Sequence, residues 1–190
     1  VVCDGQLYCH LKLHVLGRHN AQNALAAAGC AWLLGIPGDA VQRGLDTFTG
    51  ANRRLQFKGE INGAKVYDDY AHHPGEIAVT LEAVRTMKTK RLVLAFQPHT
   101  YSRTSALFED FVKELQKVDV LVLSEIYAAR EQNTTGISSR HIQQRIAGSV
   151  YCETLPEVTA YLRSIAQPGD VILTMGAGDI FRAGEALLEK

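Results

Sequence analysis

Three stretches of the sequence concentrate side chains that can hold charge or move protons. Asp68-Asp69-Tyr70-Ala71-His72-His73-Pro74 puts two carboxylates, a phenol and two imidazoles side by side, a set that can orient metal-bound phosphates, a ribose or an amine. Gln97-Pro98-His99-Thr100-Tyr101-Ser102-Arg103-Thr104 adds an imidazole and a guanidinium. Arg103 and the free amides of a helix starting there would suit a carboxylate or phosphate. Met175-Gly176-Ala177-Gly178-Asp179 contributes two glycines, which let a ligand approach the backbone closely. Further upstream, Asn20 and Asn23 lie three residues apart after Gly17-Arg18-His19, the first at an expected N-cap and the second on the first turn. Arg53-Arg54 is a solvated basic pair, or a pair of which one member reaches a phosphate. Each stretch alone has a plain structural reading: a capping aspartate, a histidine that precedes proline, a tight turn. Three of them at successive strand ends are harder to dismiss.

The apolar pattern supplies the frame that would bring them together. Gln6 to Leu16 alternates like a strand, with Leu7, Cys9, Leu11, Leu13 and Val15 on one face and no partner strand upstream, which reads as a cut edge. Asn20 to Leu34 reads as a helix with Leu25, Ala28 and Trp32 at helical spacing, stopped by Gly35-Ile36-Pro37-Gly38. A second short helix, about Asp39 to Phe48, places Val41, Leu45 and Phe48 on one face.

From Leu55 onward strands and helices alternate. A hairpin over Leu55 to Tyr67 turns at Asn62-Gly63. Strands follow at Arg91 to Phe96, Val118 to Ser124, Val150 to Cys152 and Val171 to Met175. Helices are predicted from Pro74 to about Met87, Ser102 to Gln116, Ser138 to Ala147, Leu155 to Ala166 and Ile180 to Leu188. Short apolar strands separated by amphipathic helices predict an α/β fold with a doubly wound, mostly parallel sheet covered on both faces. In that class ligands sit at the carboxyl ends of the strands, where all three polar stretches fall. A domain boundary is expected near Thr49-Gly50-Ala51-Asn52.

Composition narrows the partners. Over 190 residues, 20 Lys+Arg balance 20 Asp+Glu, so the charge excess behind sequence-independent nucleic-acid binding is missing. No window approaches the ~18–20 uninterrupted apolar residues of a membrane span, and the opening residues lack a signal peptide's basic and apolar segments. A cytoplasmic protein with no nucleic-acid or membrane partner is expected. Cys3, Cys9, Cys30 and Cys152 form no CxxC pair, which points to reduced thiols rather than a zinc site or a disulfide framework.

The blocks GRHNAQN, RRLQFKGE, VYDDYAHHPGEI, FQPHTYSRT and TMGAGDI, in that order across residues 17 to 180, resemble the Mur ligases. Within that family they are most similar to the branch that joins L-alanine to UDP-N-acetylmuramate in peptidoglycan synthesis. Family members have an N-terminal UDP-sugar domain, a central ATPase domain with a GxxGK[ST] phosphate loop, and a Rossmann-like C-terminal domain. These residues contain no GxxGK[ST]. The resemblance therefore implies a small remnant of the central ATP-binding domain over 1–50 and the C-terminal domain over 51–190.

The resemblance further implies an ATP-dependent acid–amino-acid ligase. Magnesium would be bound mainly by the absent central domain, with no metal ligands supplied here. His19, Asn20 and Asn23 would hold the adenine side of the nucleotide, Arg54 would approach the phosphates, and Asp69 would lie near the ribose. Arg54 and Asp69 would be the catalytic pair, Arg53 and Asp68 being their adjacent rivals. Tyr70, His72, His99 and Arg103 would form the amino-acid pocket, with Arg103 on the L-alanine carboxylate. Thr100 departs from the several family members that carry arginine there, which leaves that loop one guanidinium. The fragment alone would be inactive, its partners being the N-terminal and central domains with UDP-N-acetylmuramate and L-alanine. Two other readings remain: the tripeptide-recycling ligase of the same family, and a standalone nucleotide- or amino-acid-binding domain.

Overall fold

The structure, a computed structural model, describes residues 1–189. Its first ladder is a small antiparallel hairpin of β1 (Val2–Cys3) and β2 (Gln6–Leu7). The expected strand over Gln6 to Leu16 is therefore only two residues long, and its partner lies upstream of it after all. Residues 8–16 join no ladder, and although Cys9 is buried, Leu7 is exposed. Alternation alone does not make a strand when no neighbour takes up the backbone hydrogen bonds.

Helix α1 spans Arg18–Leu33 and α2 spans Gly38–Asp46, and the two pack on each other. The buried positions of α1 are Ala24 and Ala28, while Leu25 and Trp32, expected on its inner face, stand exposed with Leu33 and Leu34.

Six further strands form one sheet: β3 (Gln56–Ile61), β4 (Ala64–Asp69), β5 (Arg91–Phe96), β6 (Val120–Ser124), β7 (Val150–Cys152) and β8 (Asp170–Met175). Their spatial order is β3-β4-β8-β5-β6-β7, and only the edge pair β3–β4 is antiparallel. That hairpin turns at Asn62 (φ 50°) and Gly63 (φ 76°), both left-handed as a type I′ turn requires. The doubly wound, mostly parallel α/β expectation holds.

Helices cover both faces. Leu92, Leu94 and Phe96 of β5 face α3 (Pro74–Arg85), α5 (Phe108–Leu115) and α6 (Ser139–Arg145), while Val93 and Ala95 face α7 (Leu155–Ile165) and α8 (Phe181–Leu188). Period-two alternation into two cores explains why these strands read as unbroken apolar runs. The helix expected from Ser102 to Gln116 is interrupted at Leu107 (φ −111°, ψ 24°), giving α4 (Tyr101–Ala106) and α5.

Strand β8 enters between β4 and β5, so Asp69, Met175 and Phe96 lie side by side in register at the strands' carboxyl ends. The chain leaves β5 toward one face and β8 toward the other. That divergence is the topological switch point at which an open α/β sheet offers a crevice.

Candidate active site

At this edge two adjacent arginines have opposite surroundings. Arg53 (φ 56°) and Leu55 (φ 45°) are both left-handed, an uncommon conformation for residues with a side chain, and it turns successive side chains in different directions. The turn is held by the Leu55 N–H donating to Asp69 Oδ2 (2.7 Å) and the Tyr70 N–H donating to the Arg53 carbonyl (2.7 Å). Arg53 points inward. Its Nε donates to Asp68 Oδ2 (2.9 Å), and its terminal nitrogens donate to the carbonyls of Gly176 (2.6 Å) and Gly178 (3.2 Å). Its guanidinium also lies 4.8 Å from the Tyr70 ring centre and 4.6 Å from that of Phe181. Asp68, fully buried, accepts from Thr174 Oγ1 as well (2.8 Å).

Arg54 points outward and is exposed, with no ion-pair partner among the described residues. It lines a cleft of about 550 Å³ together with His19, Asn20 and Asn23, whose other walls are apolar and include Leu13, Val15, Leu45 and Phe48. A contiguous cleft of about 260 Å³ shares His19, Asn20 and Arg54 and adds Asp69 and Thr80. All five side chains expected to bind the nucleotide thus line two connected clefts, between the start of α1 and the β4–α3 junction.

Details within the clefts differ from the expectation. Helix α1 begins at Arg18 with Gly17 as its N-cap, so Asn20 is not the cap; its Nδ2 donates back to the Leu16 carbonyl (2.7 Å). Burial pushes the Asp69 carboxyl above its ordinary range, against the pull of the Ala71 and Leu55 amides, the Arg54 charge and the Thr80 hydroxyl.

The four acceptor-site candidates form a row along the ends of β4 and β5. The Tyr70 and His72 rings are 5.7 Å apart, His72 and His99 5.9 Å, and His99 continues onto Tyr127 at 5.7 Å in a stacked arrangement. His72 Nδ1 donates to the Tyr70 carbonyl (3.1 Å) and lies 3.3 Å from Glu76 Oε2. With that proton committed, neutral His72 presents Nε2 as a proton acceptor. His99 has the complementary arrangement, since Arg103 Nη1 lies 3.4 Å from its Nδ1 and also from its carbonyl. Burial, the Arg103 charge and His72 together lower the His99 pKa, and Glu131 opposes them. Arg103 pairs with no carboxylate among the described residues.

His73 makes no contact in this row. It caps α3, its Nδ1 accepting from the Gly75 amide (3.2 Å), with Glu76 completing the capping box. Nor are the α4 amides free as expected: Ser102 donates from its N–H to Glu131 Oε2 (2.9 Å) and from its hydroxyl to Oε1 (2.6 Å).

Sequence reasoning missed Tyr127 and Glu131, and it included Gln97 in the second polar stretch without giving it a role. Buried Gln97 donates from Nε2 to Asp179 Oδ1 (3.0 Å), and its Oε1 accepts from the Ile180 amide (3.2 Å), tying the end of β5 to the glycine loop. A Cβ on Gly176 (φ 148°) would lie 2.5 Å from the Gln97 carbonyl oxygen, and one on Gly178 would collide with Tyr127 and Gln97. The glycines therefore serve close packing between loops. Among the described residues no group of three or more His, Cys, Asp or Glu is placed to hold a metal ion, and no helix is long and apolar enough to cross a membrane.

Known proteins show what this chain is similar to. The UDP-N-acetylmuramate--L-alanine ligase of Agathobacter rectalis is 48% identical over 184 residues, covering 95% of this chain and 40% of its own length. The enzyme of that name from Acetivibrio thermocellus is 40% identical over 193 residues, 100% of this chain and 41% of its own. The crystal structure of the UDP-N-acetylmuramate-alanine ligase of Thermotoga maritima superposes with a TM-score of 0.80 at 29% identity, over 97% of this chain and 40% of that one. The chain thus spans about 40% of the length of the relatives it matches. The profile described as "Mur ligase, glutamate ligase domain" matches residues 53–178, and the chain belongs to the Mur ligase family.

Proposed function

We propose that this chain is the C-terminal part of an ATP-dependent ligase that adds L-alanine to UDP-N-acetylmuramate in the cytoplasm. The observation that carries the reading is the 40–48% identity, over nearly the whole chain, to curated enzymes bearing that activity in their names. In such a reaction the carboxylate of the sugar acid is activated as an acyl phosphate at the expense of ATP. The amine of the amino acid then displaces phosphate to form the amide.

The residues described here fit two parts of that task. The cleft with apolar walls and the Asn20 and Asn23 amides suits an adenine ring, with His19 beside it. The unpaired Arg54 guanidinium suits the phosphates, where charge develops during transfer. Asp69 accepts hydrogen bonds and forms the wall of the adjoining cleft, as a ribose contact would require. At the strand-end face, Arg103 is a cation for the acceptor carboxylate with His99 beside it, and Tyr70 lies further along the same row, next to His72. His72 Nε2 is the atom we assign to take the proton that the amine must lose before it attacks. Magnesium would neutralise phosphate charge when bound. Among the described residues no group of three or more His, Cys, Asp or Glu is placed to hold it, and in this reading its ligands come mainly from the central domain.

Residues 1–50 are read as the end of the central domain and 51–190 as the C-terminal domain. Exposure of Leu25, Leu33, Leu34, Ile36 and Phe48 supports further chain packing on the first part. ADP release by the complete polypeptide carrying this chain, dependent on both UDP-N-acetylmuramate and L-alanine, tests the reading. Preference for a preformed tripeptide over L-alanine would reassign it to peptide recycling. Tight binding of ADP or L-alanine to the isolated 190 residues would favour a standalone binding domain, whereas the ligase reading expects no turnover from them alone.

A further inference from the structure

We propose that Glu131 is a specificity-determining residue that turns away acceptor amino acids carrying a second carboxylate. The inference rests on the ligase reading above, in which Arg103 receives the acceptor's α-carboxylate.

The segment between β6 and α6, residues 125–138, folds back over the end of β5. Tyr127 fixes it there from both sides: its N–H donates to the Pro98 carbonyl (2.9 Å), and its carbonyl accepts from the Thr100 N–H (2.9 Å). Its ring stacks on His99 with an interplanar angle of 16°. Four residues further on, Glu131 places both carboxylate oxygens on Ser102, at 2.9 Å from the amide and 2.6 Å from the hydroxyl. Those bonds hold the charge in one place, and together they lower the Glu131 pKa, keeping it ionised at neutral pH. The charge acts on His99, whose protonation it favours against Arg103 and His72.

The charge available to an acceptor follows from this. Among the described residues Arg103 has no carboxylate partner and is held beside His99, and Thr100 offers only a hydroxyl. The N-terminal amide of α4 that would attract an anion is already taken by Glu131. An acceptor with one carboxylate and a small neutral side chain is matched by Arg103. A second carboxylate reaching toward Ser102 meets the fixed like charge of Glu131, and a like-charge pair at close range in a partly desolvated site costs about tenfold or more in relative binding.

The test compares kcat/KM for L-alanine and L-aspartate in the complete polypeptide carrying this chain, for wild type, Glu131→Gln and Glu131→Asp. Gln keeps an oxygen for Ser102 and removes the charge, whereas Asp keeps the charge. The aspartate-to-alanine ratio is expected to rise about tenfold in Glu131→Gln and to stay near the wild-type value in Glu131→Asp. An unchanged ratio in Glu131→Gln, or an equal rise in both variants, overturns the inference while L-alanine joining by the wild type leaves the ligase reading intact. If the wild type joins no L-alanine, the ligase reading fails and the inference falls with it. A second readout needs no turnover: the His99 imidazole, faced by Arg103, His72 and Glu131, should titrate lower still in the Glu131→Gln form of this chain, and an unmoved midpoint by NMR counts against the proposal.

Discussion

Arg53 and Arg54 are neighbours in sequence and opposites in structure, and each typifies its region. Arg53 belongs to the strand-end face, where side chains cross-link the three loops: it joins the β4 end to the glycine loop, and Gln97 joins that loop to the β5 end. Arg54 belongs to the clefts beside α1, where the polar side chains are largely left free. The face is pre-organised, whereas in the clefts Asp69 and Asn20 are held by hydrogen bonds and the side chains of Arg54, His19 and Asn23 have none among the described residues, leaving them for a ligand. The catalytic role proposed for Arg54 and the structural role of Arg53 therefore separate between adjacent residues of the same type, and substitutions at the two positions should part company.

The largest difference is expected at Arg54. Arg54→Ala should lower ATP-dependent turnover of the complete polypeptide by about 10²–10³-fold, the usual scale for removing a charge that stabilises a transition state. The same change should leave the melting temperature of this chain within a degree or so, because no protein partner is lost. A substantial fall in melting temperature would show that Arg54 carries structural load and would erase the contrast.

Arg53→Ala should behave in the opposite sense. It strands the Asp68 carboxylate, which is 1% exposed, and breaking such a pair costs about 3 kcal/mol or more. For a chain of this size that corresponds to a fall of roughly 10 °C in melting temperature, readable by calorimetry on the chain itself. Arg53→Lys should recover only part of the loss, since an ammonium cannot reach Asp68 and two carbonyls while lying between two rings. A melting temperature indistinguishable from wild type in Arg53→Ala would remove the idea of a cross-linked face.

A smaller effect is expected at Gly176, which has the left-handed φ of 148° and no room for a Cβ beside the Gln97 backbone. Gly176→Ala should destabilise the chain by about 1–3 kcal/mol. At Gly136 (φ 69°), which has nothing within 4 Å of a Cβ, alanine should cost nearer 1 kcal/mol. Denaturant melts of the two variants separate crowding from backbone strain, and equal losses would mean that the approach of the two loops is unimportant.

The sheet, its two cores and most helix positions are legible in the sequence because strands buried on both faces announce themselves as apolar runs. The nine candidate side chains also fall into the two groups that the family resemblance implies. What the sequence hides is pairing. Nothing in Arg53-Arg54 tells which guanidinium turns inward, because two left-handed residues and the Asp69 carboxylate decide it. The break at Leu107, the exposure of Leu25 and Trp32, and the placement of Tyr127 and Glu131 on the β5 end all depend on neighbours distant in sequence or outside the local pattern. A Tyr-x-x-x-Glu spacing after an apolar strand carries no signal until the loop is seen to fold back.

The smallest expected effect concerns protonation on the cross-linked face. His99 is partly buried and lies beside Arg103 and His72, which lower its pKa below the ordinary value of about 6.5. The folded chain therefore binds this proton less tightly than the unfolded chain. Between the folded midpoint and about pH 6.5 the unfolded state holds more protons, so the His99 contribution to stability rises with pH there and is complete above it. As pH falls through that window the contribution is lost. Removing the positive neighbour should reverse part of the shift: in Arg103→Gln the His99 midpoint should move upward and the acid-side slope of stability should flatten. Imidazole titration by NMR, paired with melts at several pH values, measures both. A His99 midpoint that ignores Arg103 would mean that the guanidinium is not held against the ring. Arg103 would then be free to swing, like Arg54, and the strand-end face would be less pre-organised than its hydrogen bonds imply.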